Sequence, residues 1–301
     1  MSLVTIVALC HNHAPFLRQA LDSIVAQTYP HLEVWLVDNA SQDGSPAILR
    51  EYGQAHSDWH LLLLPENVGN CRAFNQAFFQ SKGEFVVDFA TDDELLPERL
   101  SQQVALFQQL PATYGMVYSN CALVSEMGEF VRLHHRPDPR RAGQLLPRPA
   151  SGWVFADVLA RYFISTPTML MRRATLAALG GYDETLSYED FDFWVRASRD
   201  WQFQYQNEVT TRKRLHPRSM SAQVTRQHDP YLASTIRICH KVLALCHTEP
   251  ERAALRQRLR YELRHALRRR QWPAARELAG LLRQTAPPRW DDWLLGALLG
   301  Q

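Results

Sequence analysis

Over the first hundred positions, apolar residues come in short unbroken runs, and between the runs they recur at helical spacing. Val4 to Cys10 (VTIVALC), His31 to Val37 (HLEVWLV), Leu61 to Pro65 and Glu84 to Ala90 have strand length. His13 to Gln27, Pro46 to Gln54 and Arg72 to Ser81 instead keep apolar residues on one helical face, with Pro15 suited to a first turn. Strands alternating with helices predict right-handed crossovers and a mostly parallel sheet covered on both faces. In such a sheet, ligands bind beyond the carboxyl ends of the strands. Each predicted strand ends on polar residues there: Cys10-His11-Asn12, Asp38-Asn39, Glu66-Asn67-Val68-Gly69 and Thr91-Asp92-Asp93. Taken singly, Asn12 and Asp38 would serve equally well as turn caps. Four polar endings on one rim point to a binding site.

Further along, Met116 to Val124 reads as a strand and Arg136 to Pro149 (RPDPRRAGQLLPRP) as a Pro/Arg-rich loop. Trp153 to Tyr162 is predicted helical, Pro167 to Met171 extended and Arg173 to Leu179 helical. After Gly180-Gly181, the run Ser187-Tyr188-Glu189-Asp190 leads into a helix with Phe191, Trp194 and Val195 turned inward. From about Pro230 the pattern is helical, with breaks near Pro250, Pro273 and Pro287-Pro288. In this last portion Leu255, Leu259, Leu263, Ala266 and Leu267 form an apolar stripe flanked by Arg252, Arg256, Arg260, Arg264 and Arg268 to Arg270. Such a helix can lie on an anionic membrane surface. It can instead pack its stripe on the preceding domain or on a second subunit, as in a homodimer.

Composition narrows the class. At 301 residues, 46% hydrophobic and 21% charged, the chain suits an α/β enzyme with a helical annex. The overall charge of +2 gives no reason to expect nucleic acid, although eleven arginines against five acids from Pro250 onward make the tail basic. The five cysteines are scattered without a C-x-x-C spacing, and MSLVTIV lacks the basic start of a signal peptide. A cytoplasmic protein is expected, with peripheral contact at the inner face of the membrane as an option. LLLL at 61–64 and WLLGALLG at 293–300 fall short of the ~20 residues that span a bilayer.

Six motifs then occur in order: VTIVALCHNH, QTYPHLEVWLVDNASQDGS, ENVGNCRAFNQA, GEFVVDFATDDELLPERL, GGYDETLSYEDFDFWVR and RLHPRSMS. Together they resemble the family 2 glycosyltransferases of the GT-A fold, over roughly Val4 to Ser221. The resemblance implies an α/β, Rossmann-like nucleotide-binding domain over 1–225. Its donor half would be 1–100 and its acceptor half 101–225, followed by an all-helical extension over 226–301. It also implies an inverting transfer of a sugar from a nucleotide diphosphate, UDP foremost, onto a glycan or lipid-linked acceptor in bacterial surface polysaccharide assembly.

The same resemblance assigns residues. Asp38 matches the aspartate that accepts a hydrogen bond from the base, and Leu9, His11 and Asn12 line the same slot. Gly69 lets the chain pass close to the nucleotide, and Arg72 is expected at base or phosphate. Asp92 is expected at the ribose or a metal, and Asp93 at a divalent Mn or Mg, with His216 completing the metal site. Adjacent carboxylates such as Asp92 and Asp93 call for an opposing positive charge, and Mg²⁺ or Mn²⁺ takes oxygen ligands and assists a leaving phosphate. Most members read D-x-D-D, and this chain reads Ala90-Thr91-Asp92-Asp93, as do active members resembling spore-coat polysaccharide enzymes. A catalytically silent nucleotide-binding or scaffolding domain is the alternative. Asp190 is implied as the base that deprotonates the acceptor, with Glu189 as its orienting or acceptor-binding neighbour. Asp88 fits no implied role and reads as a hydrogen-bonded structural acid.

Overall fold

The computed structural model describes residues 1–223, Asp229 and residues 231–285. They form two compact units, one of Met1–Trp153 with Phe163–Leu215, the other of Val154–Tyr162 with the chain from His216 onward. Residues 154–162, placed in the acceptor half on sequence grounds, thus belong with the later helices.

The first unit is built on strands β1 (Val4–Cys10), β2 (Leu32–Asp38), β3 (His60–Leu63), β4 (Phe85–Ala90), β5 (Glu94–Leu95), β6 (Tyr114–Val124), β7 (Phe130–Leu133), β8 (Arg136–Pro137), β9 (Leu145–Leu146), β10 (Leu170–Arg172) and β11 (Gln202–Arg214). Its main sheet has the order β3-β2-β1-β4-β10-β6-β11-β5, with β7 added to β6. β1, β2, β3 and β4 run parallel, β10 is antiparallel to both neighbours, and β6 with β11 is parallel again. This mixed, mostly parallel sheet sends the carboxyl ends of β1, β2, β4, β6 and β11 to one rim. Helices α1 (Ala14–Val25), α2 (Ser45–Ala55), α3 (Asn70–Gln80) and α4 (Arg99–Gln109) make the crossovers. β1 is buried at every position, which is why it reads as an unbroken apolar run rather than an alternating one.

Several expectations shift. The segment expected extended over Pro167–Met171 begins as a 3₁₀ turn at Thr166–Thr168 before β10 takes over. The Pro/Arg-rich loop contains the paired strands β8 and β9. The longest strand, β11, was not legible, because its sequence QFQYQNEVTTRKR is largely polar. Two helices close the first unit, α6 (Arg173–Ala178) and α7 (Asp190–Asp200), the latter burying Phe191, Trp194 and Val195 as expected.

The second unit contains α5 (Phe155–Ala160), α8 (Leu232–Leu245), α9 (Glu249–Arg268) and α10 (Trp272–Thr285). Thr248 and Glu251 form a reciprocal capping box at the start of α9, with Pro250 in the first turn. The stripe, which could meet a membrane, the preceding domain or a second subunit, is interior. Leu255, Leu259, Leu263 and Ala266 are buried, and α9 packs on α5, α8 and α10. Burial removes this apolar face from any lipid surface; what α9 exposes includes Arg252, Arg264 and Arg268. Among the described residues, no helix is long and apolar enough to cross a membrane. The break at Pro287-Pro288, WLLGALLG and the boundary at 225/226 lie outside the described residues.

Candidate active site

The loops after β1, β2 and β3 are stitched into one surface. His11 Nδ1 faces the Asn39 carbonyl at 2.8 Å, so it carries the ring hydrogen and leaves Nε2 to accept from Asn12 Nδ2 (3.1 Å) and Asn67 Nδ2 (3.2 Å). Asn39 Nδ2 donates to Asn67 Oδ1, and Asn39 Oδ1 accepts from the Val68 amide. Asn12 sits at φ 59°, with its amide on Ser41 Oγ and its Oδ1 accepting from Gln42 N. Its side chain and His11 therefore act as ties between loops. Asn39 and Asn67, two of the polar residues that end the strands, belong to this network, as does Ser41, which the sequence did not single out. Gly69, at φ 84° and with open space where a Cβ would stand, is required for its backbone shape.

Asp38 ends β2 at the centre of these ties and is 3% exposed. Its Oδ2 accepts from the Ser41 amide at 3.1 Å, while Oδ1 is buried and has no hydrogen-bond partner among the described residues. A buried carboxylate oxygen without a donor costs free energy, which a ligand N–H arriving there would recover. Arg72 Nε donates to Glu184 at 3.0 Å.

At the end of β4, Asp93 is 4% exposed and its Oδ1 accepts from the Arg214 amide at 2.8 Å. Burial and the neighbouring Asp92 push the Asp93 carboxyl well up, against the opposing pull of Lys213 and Arg214. Asp92 lies nearer the surface, 4.0 Å from His13 Nε2. Arg214 also donates to the Asp92 carbonyl and to Glu94. β11 is thus the strand that brings cationic and amide groups to this acidic tip. Among the described residues, no three His, Cys, Asp or Glu side chains converge as a ready metal cage. Two adjacent carboxylates do fit a hard divalent ion that draws its other ligands from phosphate and water. His216 belongs to the second unit and is 6% exposed.

Glu189 stands just before α7 without a side-chain cap bond, and Asp190 is the first helical residue. Asp190 Oδ2 accepts from Thr166 Oγ1 at 2.9 Å and Oδ1 from the Phe191 amide at 2.7 Å, in the positive field of the helix start. Burial raises its affinity for protons, and these donors oppose that rise. Glu189 is 9% exposed and held well above the usual carboxylate range by burial, then by Asp88 and Asp190. The loop leading to the pair is fastened to α3: Cys71 Sγ donates to Leu186 O, and Asn75 binds Tyr182 and Glu184. From the other side, Arg196 reaches the carbonyls of Leu179 and Gly181 while paired with Asp192 at 2.6 Å.

One part of this rim is thus a network of tied loops around the buried Asp38, and another presents an ordered carboxylate. The model of the family described as Glycosyl transferase family 2 matches residues 5–175. The chain belongs to the family 2 glycosyltransferases. An uncharacterized glycosyltransferase of Rickettsia typhi is 26% identical over 232 residues, covering 77% of this chain and 70% of the relative. The O-antigen biosynthesis glycosyltransferase WbnJ of Escherichia coli is 24% identical over 198 residues, 65% of this chain and 72% of that one. Among solved structures, residues 1–349 of Staphylococcus aureus TarS in complex with UDP-GlcNAc align at TM-score 0.70 and 17% identity, over 95% of this chain and 82% of that one. The mannosyltransferase PcManGT of Pyrobaculum calidifontis, in complex with GDP-Man and Mn²⁺, aligns at TM-score 0.57 and 21% identity, over 99% and 79%. The glycosyltransferase has the GT-A fold.

Proposed function

We propose that this glycosyltransferase is an inverting, metal-dependent enzyme. It moves a sugar from a nucleotide diphosphate, UDP foremost, onto a glycan or lipid-linked acceptor of a bacterial surface polysaccharide. The observation that carries the reading is Asp190, a carboxylate at a helix start with both oxygens oriented by donors. An inverting transfer needs one base within reach of the acceptor hydroxyl. Asp190 takes that proton as the hydroxyl oxygen attacks the anomeric carbon, and Glu189 orients the acceptor. Asp38 Oδ1 accepts the base N–H, and the turn at Gly69 with the loop from Leu9 to Asn12 shapes the slot around it. Asp92 and Asp93 would hold Mn²⁺ or Mg²⁺, which when bound supplies Lewis-acid stabilisation of the leaving diphosphate.

The neighbours' UDP-GlcNAc, GDP-Man and Mn²⁺ support the donor class and the metal. The names of relatives in O-antigen and teichuronic acid biosynthesis support the acceptor class. The test is a panel of nucleotide sugars with Mn²⁺, comparing wild type with Asp190→Asn. The variant keeps shape and loses basicity, so transfer falls by ~10²-fold or more with nucleotide affinity unchanged. Near-wild-type transfer with chemistry rate-limiting would remove Asp190 from the role. A thermal-shift series with UDP, GDP, dTDP and CDP identifies the base, since a ligand at 100 times its Kd stabilises by ~2.7 kcal/mol.

A further inference from the structure

The hairpin that joins β6 to β7 carries apolar side chains outward. Met127 in its turn is 85% exposed, and Phe130 and Val131 at the start of β7 are 65% and 51% exposed. Single exposed apolar residues are ordinary on a protein surface, whereas a contiguous group marks a contact site. The tip that presents them is ordered. The Ser125 amide donates to the Glu129 carbonyl at 2.8 Å, the Gly128 amide to the Ser125 carbonyl at 2.9 Å, and the Glu129 amide to Ser125 Oγ at 3.2 Å. Gly128 takes φ 84°, a left-handed shape that glycine adopts without strain. A partner therefore meets a backbone already fixed, which lowers the entropy lost on contact.

The hairpin also belongs to the rim that holds the acids. Val124, the last residue of β6, is in register with Arg214 at the end of β11. Arg214 donates from its amide to Asp93 and from Nη1 to the Glu126 carbonyl at 2.9 Å, so one residue ties the turn to the acidic tip of the site. Beyond β7 the chain enters the segment paired through β8 and β9, where Arg136, Arg140 and Arg141 are exposed, as is Arg132 on β7. These four arginines make no ion pair among the described residues. Glu126 and Glu129 lie in the turn and Asp138 among the arginines, and across 126–148 five arginines still face three acids.

We propose that this hairpin and the Arg-rich segment after it dock the enzyme on an anionic membrane surface. Met127, Phe130 and Val131 enter the headgroup region, and the arginines pair with lipid phosphates. Burial of apolar area supplies one part of such binding and attraction to anionic lipid the other. Arginine suits the second part, because its fork binds phosphate oxygens while its stem lies along apolar surface. The surface is separate from the α9 stripe, which is buried. Docking there turns the acidic rim toward the bilayer, where a lipid-linked acceptor presents its sugar; only this consequence rests on the acceptor class proposed above.

The experiment is flotation of the full chain with vesicles of equal parts phosphatidylglycerol and phosphatidylcholine, and with phosphatidylcholine alone, without nucleotide or acceptor. Wild type floats with the mixed vesicles, and the bound fraction falls as salt is raised. Met127→Ser with Phe130→Ser lowers partitioning by ~10-fold or more, the scale of withdrawing one large apolar side chain from a buried place. Arg140→Gln with Arg141→Gln lowers it by ~5-fold or more. All four residues are exposed, so thermal unfolding stays at the wild-type temperature in both variants. Phe130→Trp keeps the tip apolar and gives a second readout, since brominated lipid quenches its emission more than that of wild type. Wild type left unbound, equal partitioning of wild type and the Met127 and Phe130 pair, or no added quenching overturns the proposal. So does a loss confined to Arg252→Gln with Arg264→Gln, which moves the contact to α9. A dimer in size-exclusion chromatography that the Met127 and Phe130 pair converts to monomer overturns it too, because a second copy then covers the tip. With neither nucleotide nor acceptor present, the outcome is independent of whether the glycosyl-transfer reading stands.

Discussion

Asn75 on α3 binds Tyr182 twice, its Nδ2 donating to the Tyr182 carbonyl at 2.8 Å and its Oδ1 accepting from the Tyr182 amide at 2.9 Å. Two motifs more than a hundred residues apart are joined by this clasp, and the loop it fastens carries Glu189 and Asp190. Asn75→Ala leaves a buried amide and a buried carbonyl without their partner, which costs ~1–3 kcal/mol. Urea unfolding measures the loss. Turnover should fall while nucleotide affinity holds, and an unchanged turnover would show that the clasp does not govern the base.

Gly181 stands against the same asparagine. It adopts φ 80°, and a Cβ there would lie 2.7 Å from Asn75 Oδ1. Gly181→Ala meets both a left-handed backbone and a clash, so it destabilises by at least ~1 kcal/mol. Combined with Asn75→Ala the two losses should be less than additive, because the first substitution already disrupts the clasp.

Asp38 predicts a metal-independent defect. Asp38→Ala removes the carboxylate whose Oδ1 is buried and unpartnered among the described residues. Nucleotide affinity should weaken by ~1–3 kcal/mol equally with Mn²⁺ and with EDTA, read by calorimetry. A defect seen only with metal would move Asp38 to the phosphate end of the slot.

Asp93 predicts the opposite dependence. Asp93→Asn keeps an acceptor for the Arg214 amide, now 2.8 Å from Oδ1, but removes a charge from the pair. Mn²⁺-dependent nucleotide affinity should fall at least ~10-fold, the usual cost of removing a charged partner, with metal-free affinity little altered. Equal losses in both titrations would assign Asp93 a structural role.

Arg258 predicts stability rather than activity. It is 1% exposed on α9, donates to Leu159 O and Glu262, and lies 3.9 Å from the Tyr162 ring centre. Arg258→Ala strands a buried Glu262 and should destabilise the second unit by ~3–5 kcal/mol. The double variant Arg258→Met with Glu262→Leu should recover much of that loss. Failure of the pair to recover would mean that the bond to Leu159 O carries the stabilisation.

Sequence alone determined the elements whose own burial dictates their composition. β1, β2 and β4 had to be apolar runs because both faces of a parallel sheet are covered, and the polar residues that end such runs, with Asp38, Gly69, Asp92 and Asp93 among them, mark the rim in the chain itself. Glu189 and Asp190 at a helix start were legible for the same local reason, since an acid suits the positive end of the backbone dipole. Tertiary structure decided what depends on distant partners. β11 is a largely polar stretch whose pairing with β6 and β5 brings Arg214 to Asp93, and no periodicity in the chain announces that meeting. The stripe of α9 had one pattern and three candidate partners, and only packing against α5, α8 and α10 chose among them. Asp88 is the sharpest case: a lone acid in an apolar strand has its proton affinity raised by burial and then by Asp190, because proton affinity is set by the solvent and the charges that the fold leaves within reach.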